Sequence, residues 1–251
     1  IQEGIARGFR EYLTSQGFTE IRSPKINYAG AEGGTNVFKL DYFGKQVYLA
    51  QSPQLYKQAL VGVYQRVFEI APVFRAEHHD TSRHLNEYIS MDFEMGFIND
   101  MSDVMAMETA MLKYVVEYLE KNYQKDLQIL GAKLPKITSI PIVTFFEALD
   151  ILGKEHKQAD LDPQDEIRLC EYAKENWDSE FIFVEKFPGR KRPFYAKDNA
   201  EDEKLAESFD LLFRGLEITT GGQRINDYDE LVAKMERYNM KPEDVGAYME
   251  I

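Results

Sequence analysis

A single cysteine, Cys170, in 251 residues leaves no disulfide framework within the chain and points to a reducing compartment. Cys170 is read as a small buried hydrophobe on a helix, not a catalytic thiol. No apolar run approaches the roughly 18 residues of a membrane span, and no charged-then-apolar leader is present. A soluble, cytoplasmic protein is expected. Basic residues are in deficit, 30 Lys plus Arg against 43 Asp plus Glu for a net charge of −13. That excludes a general coat for nucleic acid or an anionic membrane, though not a local basic pocket. Internal repeats and low-complexity tracts are also lacking. What the chain does have is 44% hydrophobic and 13% aromatic content, enough to bury the core of one large domain.

Ile1, Ile5, Phe9 and Leu13 recur at helical spacing, and Gly17 stops that helix. "FTEIRSPKI" reads as a short strand whose regular pairing ends at Pro24. "NVFKLDYFGKQVYLA" reads as a hairpin turning at Gly44. "QSPQLYKQALVGVYQ" opens a helix with Ser52 as N-cap and Pro53 at the first helical position. A long amphipathic helix covers 98–123, its methionines serving as core filler. The stretch 126–202 yields a helix near 164–176, the strand "FIFVEKF" and a polar loop. A strand "SFDLLFRGLEI", a turn "TTGGQR" and a helix around 229–238 follow. Strands toward the ends with helices between them predict an α+β fold, an antiparallel sheet with helices against it.

The segment "FRAEHHDTSRHLNEYISMDFEM", residues 74–95, concentrates charge. From Tyr88 onward its parity is strict: Ile89, Met91, Phe93 and Met95 point one way, and Tyr88, Ser90, Asp92 and Glu94 the other. Upstream, "VFEIAPVFRAE" alternates loosely and puts Glu69, Arg75 and Glu77 on one face. Two antiparallel strands joined by the loop 78–84 result, with Arg83 and His84 able to fold over the polar face. A solvent-facing half-sheet and a working face both satisfy this pattern. An aromatic in line with two acids, beside an Arg/His loop, is also what a phosphate-and-metal site requires.

"VFRAEHHDTSRHLNEYISMDFEM" resembles motif 2 of the class II aminoacyl-tRNA synthetases, specifically the aspartyl-tRNA synthetases of the archaeal and eukaryotic type. "EGGTNVF", "LAQSPQLYKQ" and "SFDLLFRGLEITTGGQRI" agree with that family, and "GFTEIRSPKI" resembles its motif 1, which builds the dimer interface. The agreement runs along essentially the whole chain in order and spacing. It implies a class II synthetase-like antiparallel sheet flanked by helices, and a reaction joining Asp and ATP into aspartyl-adenylate for transfer to the tRNA acceptor end.

The roles that the resemblance implies follow the chemistry. Arg75 is the catalytic cation, its planar fork meeting the α-phosphate and the substrate carboxylate. Glu77, Arg83, His84, Leu85, Tyr88 and Glu217 join it in binding ATP, with Tyr88 stacking on adenine. Glu217 and Thr220 are the Mg²⁺ ligands, hard oxygen donors completed by phosphate oxygens. Strict alternation would put Thr219, not Thr220, on the face of Glu217, so the strand is expected to bend at "TTGG". The aspartate-binding set is Glu32, Gln54, Lys57, Arg75, Thr220 and Arg224, with Glu32 in a Gly-rich lid. Lys57 and Arg224 hold the substrate side chain. An asparagine amide would leave these cations poorly paired, at a cost of order 3–5 kcal/mol when buried. No protein nucleophile or general base is needed, because the substrate carboxylate attacks phosphorus itself.

Two parts of the family pattern are not found in these residues. The N-terminal OB-fold barrel that reads the anticodon is absent, and no G-x-G-x-x-R of motif 3 occurs. Residues 1–251 are thus expected to be a catalytic domain incomplete at its C-terminal end, with little adenylation activity alone. The alternatives are a free-standing paralogue that makes asparagine, or a non-catalytic dimerising module.

Overall fold

The computed structural model describes residues 1–27, 37–76, 85–245 and 248–249. Two compact units divide the chain.

The N-terminal unit comprises Gln2–Phe97 and Met235–Ile251. It opens with helix α1 (Gln2–Ser15), which buries Phe9 and Leu13 and ends before Gly17 at φ 78°. The segment read as one strand forms two, β1 (Thr19–Glu20) and β2 (Ile26–Asn27), with Pro24 between them. β3 (Lys39–Tyr42) and β4 (Lys45–Leu49) form the expected hairpin, turning through Phe43 and Gly44 at positive φ. Helix α2 (Gln54–Tyr64) begins one residue later than expected. Pro53 occupies the N-cap, and the Ser52 hydroxyl accepts the Gln54 amide at 3.1 Å.

β5 (Arg66–Phe74) and β6 (Glu87–Met95) pair antiparallel in unbroken register, and β1 joins β5 in parallel. Glu69, buried beside the rest of the polar face, accepts the Ser23 amide at 2.7 Å, its hydroxyl at 2.6 Å and Lys25 Nζ at 3.0 Å. These bonds tie the segment between β1 and β2 to the sheet. The opposite face is covered only in part. Phe68 packs against Phe9 and Phe93 against Phe18, but Ile89 stays 50% and Met91 41% exposed. The alternation holds, yet parity alone does not report how far a neighbour reaches along a strand.

The central unit comprises Ile1 and Ile98–Lys234. Helix α3 (Met101–Asn122) is capped by Asp100 and buries Met101, Met105, Met111, Val115 and Leu119. Two helices fall where the sequence was silent, α4 (Gln124–Leu130) and α5 (Phe145–Leu152), the latter with a Thr144/Glu147 capping box. α6 (Pro163–Trp177) carries the buried Cys170.

The sheet runs in the order β10–β9–β8–β7. Its strands are β7 (Ile142–Thr144), β8 (Phe181–Glu185), β9 (Ser208–Phe213) and β10 (Leu216–Gly222). Pairing is antiparallel except between β7 and β8. Phe209 and Leu211 meet the α3 methionines on one face; Ile182, Val184 and Leu212 meet α5 and α6 on the other. The strand expected over 208–218 is in fact a hairpin. Arg214 and Gly215, at φ 50° and 82°, supply the two-residue turn, and "TTGG" lies inside β10. Helix α7 (Tyr228–Arg237) starts in this unit. The α+β class stands, with two parallel pairings among the described residues.

Candidate functional site

In the N-terminal unit the polar face of β5 and β6 meets α2. Gln54 and Lys57, one helical turn apart, are both buried. Lys57, 4% exposed, places Nζ 3.0 Å from Asp92 Oδ1 and 3.5 Å from Glu94 Oε2. Gln54 Nε2 donates to the same Glu94 oxygen at 3.3 Å. Burial acts against the charge of Asp92, but Lys57, the Ser90 hydroxyl and Arg75 outweigh it and hold its carboxyl below the usual range. The Arg75 guanidinium lies 5.8 Å from the centre of the Tyr88 ring, a cation–π distance. A fixed cation, a carboxylate row and an aromatic thus share one sheet face. Leu85 is exposed. Glu32, Glu77, Arg83 and His84 lie outside the described residues.

The central unit carries a second cluster. The Thr220 hydroxyl donates to Glu217 Oε1 at 2.7 Å. The ladder shifts register between Glu217 and Thr219: Glu217 pairs with Leu212 and Thr219 with Leu211, which leaves Ile218 as a bulge. The bulge switches parity, so Thr220, not Thr219, shares a face with Glu217. It sits before the glycines, correcting the expected bend at "TTGG". The glycines serve close packing instead. A Cβ on Gly221 would strike the Phe209 ring, and one on Gly222 would lie 2.5 Å from the Glu207 carbonyl oxygen.

Asp210, opposite Thr220 in the ladder, was not foreseen. It receives a bidentate pair from Arg192, whose side chain is 9% exposed, at 2.9 and 2.7 Å. Burial pushes its carboxyl up against the opposing pull of Arg192 and Thr220. Glu217 keeps much of its surface exposed, but protein crowds its carboxyl. That desolvation, with the Asp210 charge next, raises it to about 7. Among the described residues no group of three or more His, Cys, Asp or Glu could hold a metal unaided. Two carboxylates and a hydroxyl are instead the sparse, hard-oxygen set that a magnesium ion completes with phosphate oxygens and water. Arg224 bridges Ala196 and lies 5.4 Å from the Tyr195 ring.

The sequence reading put Asp92 and Glu94 on the polar face without giving them a role, and passed over Asp210, Arg192, Glu108 and Glu166. The signal for Asp210 was the Arg214–Gly215 pair, a two-residue hairpin turn that folds β9 beside Glu217.

Comparison with known proteins gives one family. The profile of the class II tRNA synthetases (D, K and N) matches residues 1–251. The aspartate–tRNA(Asp/Asn) ligase of Deinococcus radiodurans is 47% identical over 261 residues, and that of Thermus thermophilus 49% over 255. All of this chain is matched in each, but the chain spans only 60% of either relative. Among solved structures, the asparaginyl-tRNA synthetase of Pyrococcus horikoshii complexed with asparaginyl-adenylate superposes with a TM-score of 0.90. It is 29% identical, over 99% of this chain and 58% of that one. The aspartyl-tRNA synthetase of Entamoeba histolytica gives 0.85 at 31% identity, over 99% of this chain and 49% of that one. Over its whole length, therefore, the chain belongs to the class II tRNA synthetases of the D, K and N type.

Proposed function

We propose that the chain is the amino-acid-activating catalytic domain of an aspartate–tRNA ligase, joining aspartate to ATP as aspartyl-adenylate for transfer to a tRNA acceptor end. The observation that carries the choice of aspartate is Lys57. A buried ammonium on the first turn of α2 gives an anionic side chain a partner that a neutral amide cannot use as well. The names of the relatives, aspartate–tRNA ligases at 47% and 49% identity, support the same choice.

Within this reading Gln54, Asp92 and Glu94 fix the position of the Lys57 ammonium. Arg75 neutralises charge at the α-phosphate, and Tyr88 offers its ring to adenine. Glu217 and Thr220, with Asp210 beside them, hold Mg²⁺, which when bound offsets phosphate charge. Arg192 neutralises Asp210, so that the cluster is not a bare pair of carboxylates. Glu32, Glu77, Arg83, His84, Leu85 and Arg224 keep the roles that the resemblance implies, and motif 1 serves a homodimer.

Aspartate-dependent exchange of pyrophosphate into ATP, measured on the complete reading frame that contains this chain, tests the proposal. Exchange with aspartate, lost in Lys57→Met and Arg75→Ala, is expected. Exchange with asparagine and none with aspartate overturns it.

A further inference from the structure

Helix α7 buries a lysine to its tip. Lys234 is 1% exposed, and its Nζ donates to the Ala196 carbonyl and to Asp198 Oδ1, the latter at 2.6 Å. An ammonium so placed is desolvated, and a methionine would pack that side of the helix without the cost. What the charge supplies is a partner for a carbonyl that the local pairing leaves out. Residues 195–197 run antiparallel to 223–225, with Ala196 opposite Arg224. The Lys197 amide donates to the Gln223 carbonyl and the Ile225 amide to the Tyr195 carbonyl, each at 2.9 Å. These bonds flank the Ala196–Arg224 pair and use neither residue's own groups, so the carbonyl of the buried Ala196 turns away from Arg224. Lys234 meets it there. Beyond Lys197 the chain pairs with Ala206 through Asp198, so just these two ladder bonds lie beside Arg224. So short a pairing is marginal by itself.

We infer that Lys234 is a positioning residue that braces residues 195–197 from behind and so fixes the backbone that carries Arg224. The brace also holds Tyr195, whose ring lies 5.4 Å from the Arg224 guanidinium. Asp198 is the anion that keeps the ammonium in place. Lys234 thus sets where one of the two cations read as meeting the substrate side chain stands. Its bearing on aspartate rests on that reading of Arg224.

The test uses the complete reading frame and two variants, Lys234→Met and Asp198→Ala, so that one poorly folding protein does not end it. Hydrogen exchange at the Lys197 and Ile225 amides is expected to accelerate at least about tenfold in both, with β8 and β9 unchanged. In aspartate-dependent pyrophosphate turnover the KM for aspartate is expected to rise about tenfold while the KM for ATP stays within about twofold. Asp198→Asn, which keeps an acceptor for the ammonium, is expected to restore most of the loss. Unchanged amide exchange at Lys197 and Ile225, or acceleration spread equally through β8 and β9, overturns the inference. So do equal rises in the two KM values, or an aspartate KM left intact, provided that Arg224→Ala raises that KM. If Arg224→Ala leaves the aspartate KM intact, or the wild type shows no turnover with aspartate, the substrate reading fails by itself. The amide exchange pattern then still decides the brace.

Discussion

The Thr220 hydroxyl donates to Glu217 Oε1 at 2.7 Å although the two residues are three apart in a strand, where alternation would oppose them. The bulge at Ile218 makes this possible. It also turns both side chains toward Asp210, and the proximity has a consequence for pH.

Glu217 holds its proton up to about pH 7 in the folded chain, against an ordinary value of 4.5. The folded state thus binds more protons than the unfolded one between these limits, and the stability from the protonated carboxyl is lost as pH rises through 7. Thermal unfolding of the wild type and of Glu217→Gln should show the wild type losing ground to the variant across this window. Parallel curves would contradict the crowding of that carboxyl.

Glu108 titrates in the same window for a different reason, burial alone, opposed only by the Thr219 hydroxyl. Between pH 4.5 and about pH 8 the wild type should lose on the order of 3 kcal/mol relative to Glu108→Gln. Urea unfolding at the two ends of that range checks it. A constant difference would mean that Glu108 is solvated.

Lys57 works with the opposite sign. Asp92 is held below its ordinary value, so its contribution is present above pH 3.8 and lost as pH falls through the lowered value. Lys57→Met removes the ammonium that Asp92 and Glu94 share and should cost on the order of 3 kcal/mol at neutral pH. The gap should narrow in acid as the carboxyls protonate. Denaturant titrations near pH 7 and pH 3 separate this from a packing defect, which would not vary with pH.

Much of this was legible in the sequence, because period and turn chemistry are local. The parity of Tyr88 to Met95, the Gly44 turn and the α3 stripe all appear as read. The central sheet was harder. "SFDLLFRGLEI" is apolar on both sides of its turn, so that Arg214 and Gly215 were hidden within one apparent strand. The bulge at Ile218 leaves no mark in composition, since the carboxylate that accepts the Glu217 amide beside it, Glu166, sits on a helix about 50 residues earlier. Asp210 escaped for the same reason: its neighbours are set by the hairpin and by Arg192, not by spacing.

Gly222 offers a check on the β9–β10 hairpin. A methyl there would press on the Glu207 carbonyl oxygen and on Ser208 Cα, both backbone atoms that cannot swing aside. Gly222→Ala should cost about 1–3 kcal/mol. Gly62, inside α2 with open space around it, is the control. Gly62→Ala should stabilise by roughly 0.5–1 kcal/mol, as expected in a helix interior. Melting temperatures moving in opposite directions would support both placements.

Calorimetric titration of aspartate and of asparagine into the chain, each with ATP and Mg²⁺ present, tests the central claim most directly. A buried ammonium at Lys57 predicts that aspartate binds more tightly by on the order of 100-fold, a preference that Lys57→Met should erase. Equal affinities, or tighter binding of asparagine, would contradict the assignment to aspartate.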